Sequence, residues 1–232
     1  MSELQPTRPH GGLGAAFRIE AFSDAVFALA TALLLLSEKI PESYHELMRH
    51  IRGFAAFGVT FAILLMIWWM HHEFFKRYHL ADVGTTAWNG LLLFLVLFYV
   101  YPMKFIWALF IGGWISQGRL YTLPPDAADG IDLGMLFLIY GLGFAGVFFC
   151  FVMLYRRAMK TLALTGADRL EARLAIEYHL CFVGVGIASA SIALTGVGLR
   201  WGLPGWIYAL IGPLCAMHGA SAGKRRRAIK AT

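Results

Sequence analysis

The stretch Arg18-Ile19-Glu20-Ala21-Phe22-Ser23-Asp24, with the apolar run at residues 25–36 behind it, decides how this chain folds. Together they form about 20 residues of predicted helix, which at about 1.5 Å per residue is long enough to cross the hydrocarbon core of a membrane. Asp24 lies well inside this segment, where a carboxylate costs roughly 2.5–3.5 kcal/mol to insert. We therefore expect Asp24 to face protein or water and to have a polar partner.

The composition is that of a membrane protein. The chain has 232 residues, of which 59% are hydrophobic and 15% charged, and its mean hydropathy is +0.63. A typical soluble domain carries about 25% charged residues. The fold class predicted from this composition is an all-α, polytopic integral membrane protein with six transmembrane helices. The predicted spans are residues 17–36, 51–75, 86–111, 131–155, 174–199 and 204–222.

The basic residues predict the orientation of these spans. With six spans, both termini and the second and fourth links share one side of the membrane. That side carries 14 of the lysines and arginines in and beside the spans, against five on the other. The positive-inside rule then puts both termini in the cytoplasm, and it accounts for the net charge of +6 without a nucleic-acid partner. We expect a mobile N-terminal tail at residues 1–16, a six-helix domain at 17–222 and a basic cytoplasmic tail at 223–232.

The motif at the start of the first span also carries a resemblance. Arg-x-x-x-Phe-Ser-Asp, continued as Ala-Val-Phe-Ala-Leu-Ala, resembles the opening of the transmembrane protein 175 family of potassium channels. The motif occurs once in the chain, and in this respect the chain resembles the single-repeat prokaryotic members of the family. The resemblance implies a multi-pass protein of the cell membrane that conducts potassium ions passively, contacts membrane lipids and assembles as a homotetramer. It implies no enzyme activity and no cofactor.

One face of the first span is the candidate pore lining. Leu29, Leu33 and Leu36 recur at spacings of four and three and share a face, with Ala32 beside them. Spacing alone favours ordinary packing against neighbouring helices over a pore. The resemblance implies that the narrowest point lies five residues after Asp24, at Leu29, as a hydrophobic gate. Family members often have threonine where this chain has Ala32, and Thr31 is one residue earlier.

Polar residues of the first three spans, together with Phe22 of the motif, predict a second feature, a gating or structural network. Polar side chains inside a membrane are expected to face one another, because lipid cannot solvate them. The network is expected either to move with gating, with a histidine coupling it to pH, or to act as a fixed staple between helices. Its predicted members are Arg18, Phe22, Ser23, Asp24, Trp68, His71 and Asn89.

Two other functions are compatible with these residues. Asp24 could serve a proton- or sodium-coupled secondary transporter, although the inverted repeats typical of such proteins are not visible. His71 and His179 could hold a haem group in a redox protein, but a lone membrane histidine more often bonds a neighbour. The adjacent His71 and His72 diverge by about 100° on a helix and cannot share one metal ion. We therefore expect no metal site.

Overall fold

The fold is helical throughout the part of the chain that a computed structural model describes, residues 11–36, 41–115 and 132–230. The predicted all-α class is confirmed over these ranges. A π-helical turn, Phe110–Ile115, follows directly on the helix that ends at Leu109, and short 3-10 turns, Leu199–Trp201 and Ile207–Leu210, lie on either side of the short helix Leu203–Trp206. The helices are α1 (Gly11–Leu36), α2 (Tyr44–Tyr78), α3 (Val83–Leu109), α4 (Leu133–Thr161), α5 (Gly166–Thr195), α6 (Leu203–Trp206) and α7 (Ile211–Lys230).

Several helix boundaries differ from the predicted ones. Helix α1 begins at Gly11, within the predicted tail, while residues 1–10 and most of the predicted loop between the third and fourth spans lie outside the described residues. Helix α2 begins at Tyr44, earlier than predicted, because Ser43 caps it: the Ser43 hydroxyl accepts the Glu46 amide at 3.2 Å. The Glu46 carboxylate in turn accepts the amide of Glu42, the residue before the cap, at 2.8 Å, so that side chain and backbone bond in both directions at this helix start.

Four helical stretches are long and apolar enough to cross a membrane: Phe54–Tyr78, Val83–Val100, Leu133–Thr161 and Gly166–Thr195. They belong to α2, α3, α4 and α5, so four of the six predicted spans have a counterpart of spanning length. Helix α1 carries three charged residues, Arg18, Glu20 and Asp24, and is not among the four.

Helices α4 and α5 pack through a seam of small residues. A Cβ atom added to Gly141 would lie 2.7 Å from the carbonyl oxygen of Gly186, and one added to Gly186 would lie 2.8 Å from the carbonyl oxygen of Gly141. Ala145 and Ala190 lie 3.0 Å from these added atoms. Small residues at four-residue spacing let two helix backbones approach closely, which is how membrane helices gain packing energy without a hydrophobic effect between them.

Asp82 joins the turn between α2 and α3 to the end of α4. Its carboxylate caps α3 by accepting the amides of Gly84 and Thr85, at 3.1 and 3.4 Å, and it also accepts the Thr85 hydroxyl and the Arg157 guanidinium. Gly84 leaves the space that the guanidinium occupies, since a Cβ there would lie 2.2 Å from Arg157 Cζ. Burial alone would raise the pKa of Asp82, but the bonds from Thr85 and Arg157 and the Arg157 charge outweigh it and lower that pKa.

Helix α7 extends through the predicted basic tail to Lys230 because its arginines bind α5. Arg225 Nη1 donates to both carboxylate oxygens of Glu177, at 2.9 and 2.8 Å. Arg226 donates to both oxygens of Glu171, at 2.7 and 2.6 Å. Two-point contacts of this kind fix both groups in orientation and are stronger than single hydrogen bonds.

The seam between α4 and α5 generates the first prediction. Gly141→Ala should lower the free energy of unfolding by about 1–3 kcal/mol, because the new methyl group would meet backbone atoms that cannot move aside. Gly184→Ala is the matched control, since a Cβ at Gly184 meets nothing within 4 Å. The control should be neutral or more stable by about 0.5–1 kcal/mol, from the helix preference of alanine. Thermal unfolding of the purified protein in detergent measures both, and equal midpoints for the two variants would contradict the close approach.

The Asp82 contacts predict a pH dependence of stability. A carboxyl group whose pKa is lowered in the folded state stabilises the fold fully above its ordinary pKa, about pH 4. That stability is lost as the pH falls through the lowered value. Asp82→Asn should therefore unfold at a lower temperature than wild type at neutral pH, and the difference should shrink towards zero in acid. Asp168→Asn, which removes a more exposed partner of Arg77, should shift the midpoint much less at any pH.

Candidate pore helix and its polar network

Helix α1 packs against the rest of the molecule through one face only. The residues on this face recur at spacings of three, four and seven, as expected for one side of a helix. They contact α2 and α3, and Ser23 and Ala30 are wholly shielded from solvent. The buried residues of this face are Ala16, Ser23, Phe27, Ala30 and Leu34.

The opposite face of α1 is exposed along its length. We call it the exposed α1 stripe and define it by Arg18, Phe22, Ala25, Leu29 and Ala32. Its two large apolar side chains are mostly uncovered, with Phe22 64% and Leu29 51% exposed.

The four residues predicted to line the pore do not share one environment. Leu29 and Ala32 lie on the exposed α1 stripe, and Leu33 lies half-buried beside it. Leu36 ends the helix, and its side chain lies outside the described residues. The hydroxyl of Thr31 donates to the carbonyl oxygen of Phe27 at 3.0 Å, so that its hydrogen is used within α1.

Asn89 on α3 binds α1 and α2 at once. Its Nδ2 donates to the Ser23 hydroxyl at 3.0 Å, and the Ser23 hydroxyl donates to the carbonyl oxygen of Ile19 at 2.8 Å. On the other side, the carboxamide oxygen of Asn89 accepts the Nε2 hydrogen of His71 at 2.8 Å. The side chains of Ser23, His71 and Asn89 are all buried, so these bonds form where water does not compete.

A second set of bonds joins α1 to α2. Trp68 Nε1 donates to Asp24 Oδ1 at 2.8 Å, and His72 Nδ1 donates to Glu20 Oε1 at 2.8 Å. The rings of Trp68 and His72 stack with their centroids 5.7 Å apart. The contact between Glu20 and His72 was absent from the sequence-based prediction, although a signal for it existed. Two carboxylates four residues apart on α1 match a tryptophan and a histidine four residues apart on α2, in antiparallel register.

Five of the seven predicted network residues are brought together, and two are not. Ser23, Asp24, Trp68, His71 and Asn89 lie between α1, α2 and α3 and are joined by the bonds given above. The structure places the other two, Arg18 and Phe22, on the exposed α1 stripe instead. The reason is helical geometry, because at about 100° per residue Phe22 and Arg18 lie about 100° and 140° round α1 from Ser23.

The end of α1 is held by a lysine from α3. Lys104 Nζ donates to the carbonyl oxygen of Leu34 at 3.1 Å. Leu34 lies in the last described turn of α1, so that this bond ties the turn to α3. The charged end of Lys104, which lies within a predicted span, is thus bound by a backbone carbonyl group that the sequence did not indicate.

The two histidines considered for haem binding have different neighbours. His71 packs beside Phe75, with ring centroids 4.7 Å apart, and bonds Asn89. His179 on α5 donates from Nδ1 to the carbonyl oxygen of Ala175 at 2.6 Å and stacks on the ring of Phe151 at 5.0 Å. Each ring is thus oriented by a hydrogen bond and an aromatic neighbour of its own.

The Asn89 bridge yields a stability prediction. Asn89→Leu removes both bonds and leaves the Nε2 hydrogen of the buried His71 without its acceptor, which should cost about 1–3 kcal/mol of unfolding free energy. Thr86→Val is the matched control, because Thr86 lies one turn earlier on α3 and is exposed. Thermal unfolding in detergent is the measurement. A midpoint for Asn89→Leu equal to that of the control would mean that the bridge contributes nothing to holding α1.

Comparison with known proteins identifies related sequences. A family model described as the endosomal/lysosomal potassium channel TMEM175 matches residues 18–99. A protein of Marivirga tractuosa named as a potassium channel is 35% identical over 224 residues, which cover 90% of this chain and 89% of that protein. A protein of Chamaesiphon minutus, also named as a potassium channel, is 31% identical over 70% of this chain and 72% of its own length.

Two solved structures are similar as well. One is the crystal structure of a threonine-to-alanine variant of the potassium channel MtTMEM175, in complex with a nanobody–MBP fusion protein. It matches 96% of this chain and 100% of its own with a TM-score of 0.75 and 33% identity. The other, a lysosomal potassium-selective channel TMEM175 homologue from Chamaesiphon minutus, shares the fold with a TM-score of 0.60 at 22% identity, over 88% of this chain and 97% of its own.

The similarity extends well beyond the motif that opens α1. The Marivirga relative and the MtTMEM175 structure each cover almost all of this chain, at 35% and 33% identity. The chain therefore belongs to the prokaryotic transmembrane protein 175 (TMEM175) family of potassium channels.

Proposed function

We propose that this protein is a potassium-permeable channel of the cell membrane, in which four copies of α1 surround a passive conduction pathway. The relatives that cover most of this chain are named as potassium channels. The single observation that carries the proposal is the exposed α1 stripe, since it leaves one face of the motif-bearing helix without a partner. One helix face cannot enclose a pathway, whereas symmetry-related copies around an axis can.

The character of the exposed α1 stripe supports this assignment. Between Phe22 and Ala32 it carries no charge, and its bulkiest member after Phe22 is Leu29. Repeated around an axis, Leu29 side chains form an apolar ring, and such a ring can gate conduction by expelling water. Leu33 and Leu36 continue the apolar lining towards the end of the helix. Ala32 narrows the pathway less than either of them.

The contacts between the charged links support the proposed membrane topology. Arg77 at the end of α2 donates to Asp168 at the start of α5, at 3.2 Å, and Arg226 on α7 binds Glu171 on the same helix. The turn at Asp82 lies against Arg157 at the end of α4. These contacts gather the basic links at one end of the bundle. We assign that end to the cytoplasm, with α1 and the broken segment from α6 to α7 completing six spans.

The polar network is assigned a role in setting the rotation of α1. Bonds from Trp68 to Asp24 and from Asn89 to Ser23 hold the inner face of the helix, and the exposed α1 stripe is therefore presented outward at a defined angle. Rotation of α1 would have to break these bonds together, which is the property expected of a two-state gate.

The decisive test is a substitution at the proposed constriction. Leu29→Ala should raise potassium flux severalfold or reduce the preference for potassium over sodium, because a smaller side chain widens the apolar ring. Leu194→Ala is the matched control, since Leu194 lies on α5 and is 71% exposed. The measurement is flux from liposomes that contain the purified protein, driven by a potassium gradient alone. Flux in the Leu29→Ala protein equal to that of wild type and control would remove Leu29 from the pathway.

The same assay separates a channel from a coupled transporter. A channel conducts with a potassium gradient and no proton gradient. Flux that requires a proton or sodium gradient and is abolished by Asp24→Asn would instead identify Asp24 as a coupling site. Covalent crosslinking of the purified protein in membranes reports the number of copies, with four expected.

A further inference from the structure

A basic cavity of about 590 Å³ lies at the turn between α4 and α5. We define it by four basic residues, two from each helix. Its lining also includes Thr165 in the turn, the apolar side chain of Ile176 and the carboxylate of Glu177. The four basic residues are Arg156, Lys160, Arg169 and Arg173.

These four positive charges lack partners among the described residues. Each of the four side chains is exposed, and none makes an ion pair or a side-chain hydrogen bond in that part of the chain. The carboxylates in and beside the cavity are already paired with other arginines. Glu177, which lines it, is bound by Arg225 at 2.8 Å, while Asp168 is bound by Arg77 at 3.2 Å and Glu171 by Arg226 at 2.6 Å. The arginines of α2 and α7 thus neutralise the acids of α5 and leave the basic cavity with uncompensated positive charge.

The first turn of α5 adds to this field. Thr165 is its N-cap residue, and its hydroxyl makes no capping hydrogen bond. Backbone amides at the start of a helix carry partial positive charge and donate to anions. The start of α5 thus adds partial positive charge to that of the four basic side chains, which define the cavity without it.

The basic cavity also adjoins an apolar surface of membrane depth. Helices α4 and α5 are both of spanning length, and the cavity lies where they end and begin. From Ile176, exposed residues follow one face of α5 at spacings of four and seven: Leu180 at 45%, Ile187 at 46% and Leu194 at 71% exposed. An occupant with an anionic head and apolar chains would match both surfaces at once.

We propose that the basic cavity binds the phosphate headgroup of an anionic membrane phospholipid, whose acyl chains lie along the exposed face of α5. The positive-inside rule accounts for basic residues near helix ends. It does not require that four of them line a single cavity while neighbouring arginines take the available carboxylates. Basic pockets between helices at the cytoplasmic surface hold such headgroups, and each nearby lysine or arginine contributes about 1 kcal/mol.

Lipid titration of the intact protein tests this proposal. Wild type, purified in a neutral detergent, is titrated with cardiolipin and separately with phosphatidylcholine, and bound lipid is counted by native mass spectrometry. Cardiolipin should bind more tightly than phosphatidylcholine. Arg169→Gln/Arg173→Gln should weaken cardiolipin binding by about 10- to 30-fold. Arg156→Gln/Lys160→Gln, on the other helix, should do the same.

The matched control removes equal charge outside the cavity. Lys224→Gln/Arg227→Gln changes two exposed basic residues of α7 and should alter cardiolipin binding by less than about threefold. Equal loss in control and cavity variants would reduce the effect to net charge and overturn the proposal. So would unchanged binding in the cavity variants, or displacement of cardiolipin by millimolar sodium phosphate, which would indicate a soluble anion. The readout is lipid binding, so a negative result leaves the channel proposal standing.

Discussion

The carboxamide of Asn89 is the constraint on which the arrangement of α1 depends. It donates to α1 and accepts from α2, and both bonds lie in buried surroundings where a lost partner is not replaced by water. Because a carboxamide offers donors and an acceptor in fixed directions, it holds two helices in one relative rotation. An apolar contact of the same size would allow α1 to turn and to bury the exposed α1 stripe.

Other polar bonds between α1 and its neighbours also fix the rotation of α1. Glu20 and Asp24 meet His72 and Trp68 in an antiparallel register, so that α1 is held at several depths rather than at one point. Lys104 holds the far end of α1 through the carbonyl oxygen of Leu34. In a membrane, where apolar contacts discriminate poorly between helices and lipid, such polar bonds decide which face of a helix turns inward. The exposed face is then available to other copies of the chain.

A different kind of contact organises α4 and α5. Small residues let these two helices approach closely, and charged contacts tie their ends to α2 and α7. These ion pairs are exposed, so each contributes little to stability. Their larger effect is on the local charge, because they neutralise the carboxylates near the start of α5. The basic cavity owes its net charge to this distribution.

The sequence by itself determined the membrane class and the helical fold, because composition and apolar spacing suffice for both. The family resemblance came from a residue motif and its position at the start of the first span. It also indicated that Ser23, Asp24, His71 and Asn89 lie together, since polar groups within apolar spans need one another. Only the tertiary structure decided the rest. Arg18 and Phe22 lie on the exposed face of α1, away from the bonds of Ser23. Glu20 is paired with His72, and the arginines that follow residue 223 belong to a helix that binds α5. Helical periodicity tells which residues share a face, but the neighbour that each face meets is set by how all the helices pack.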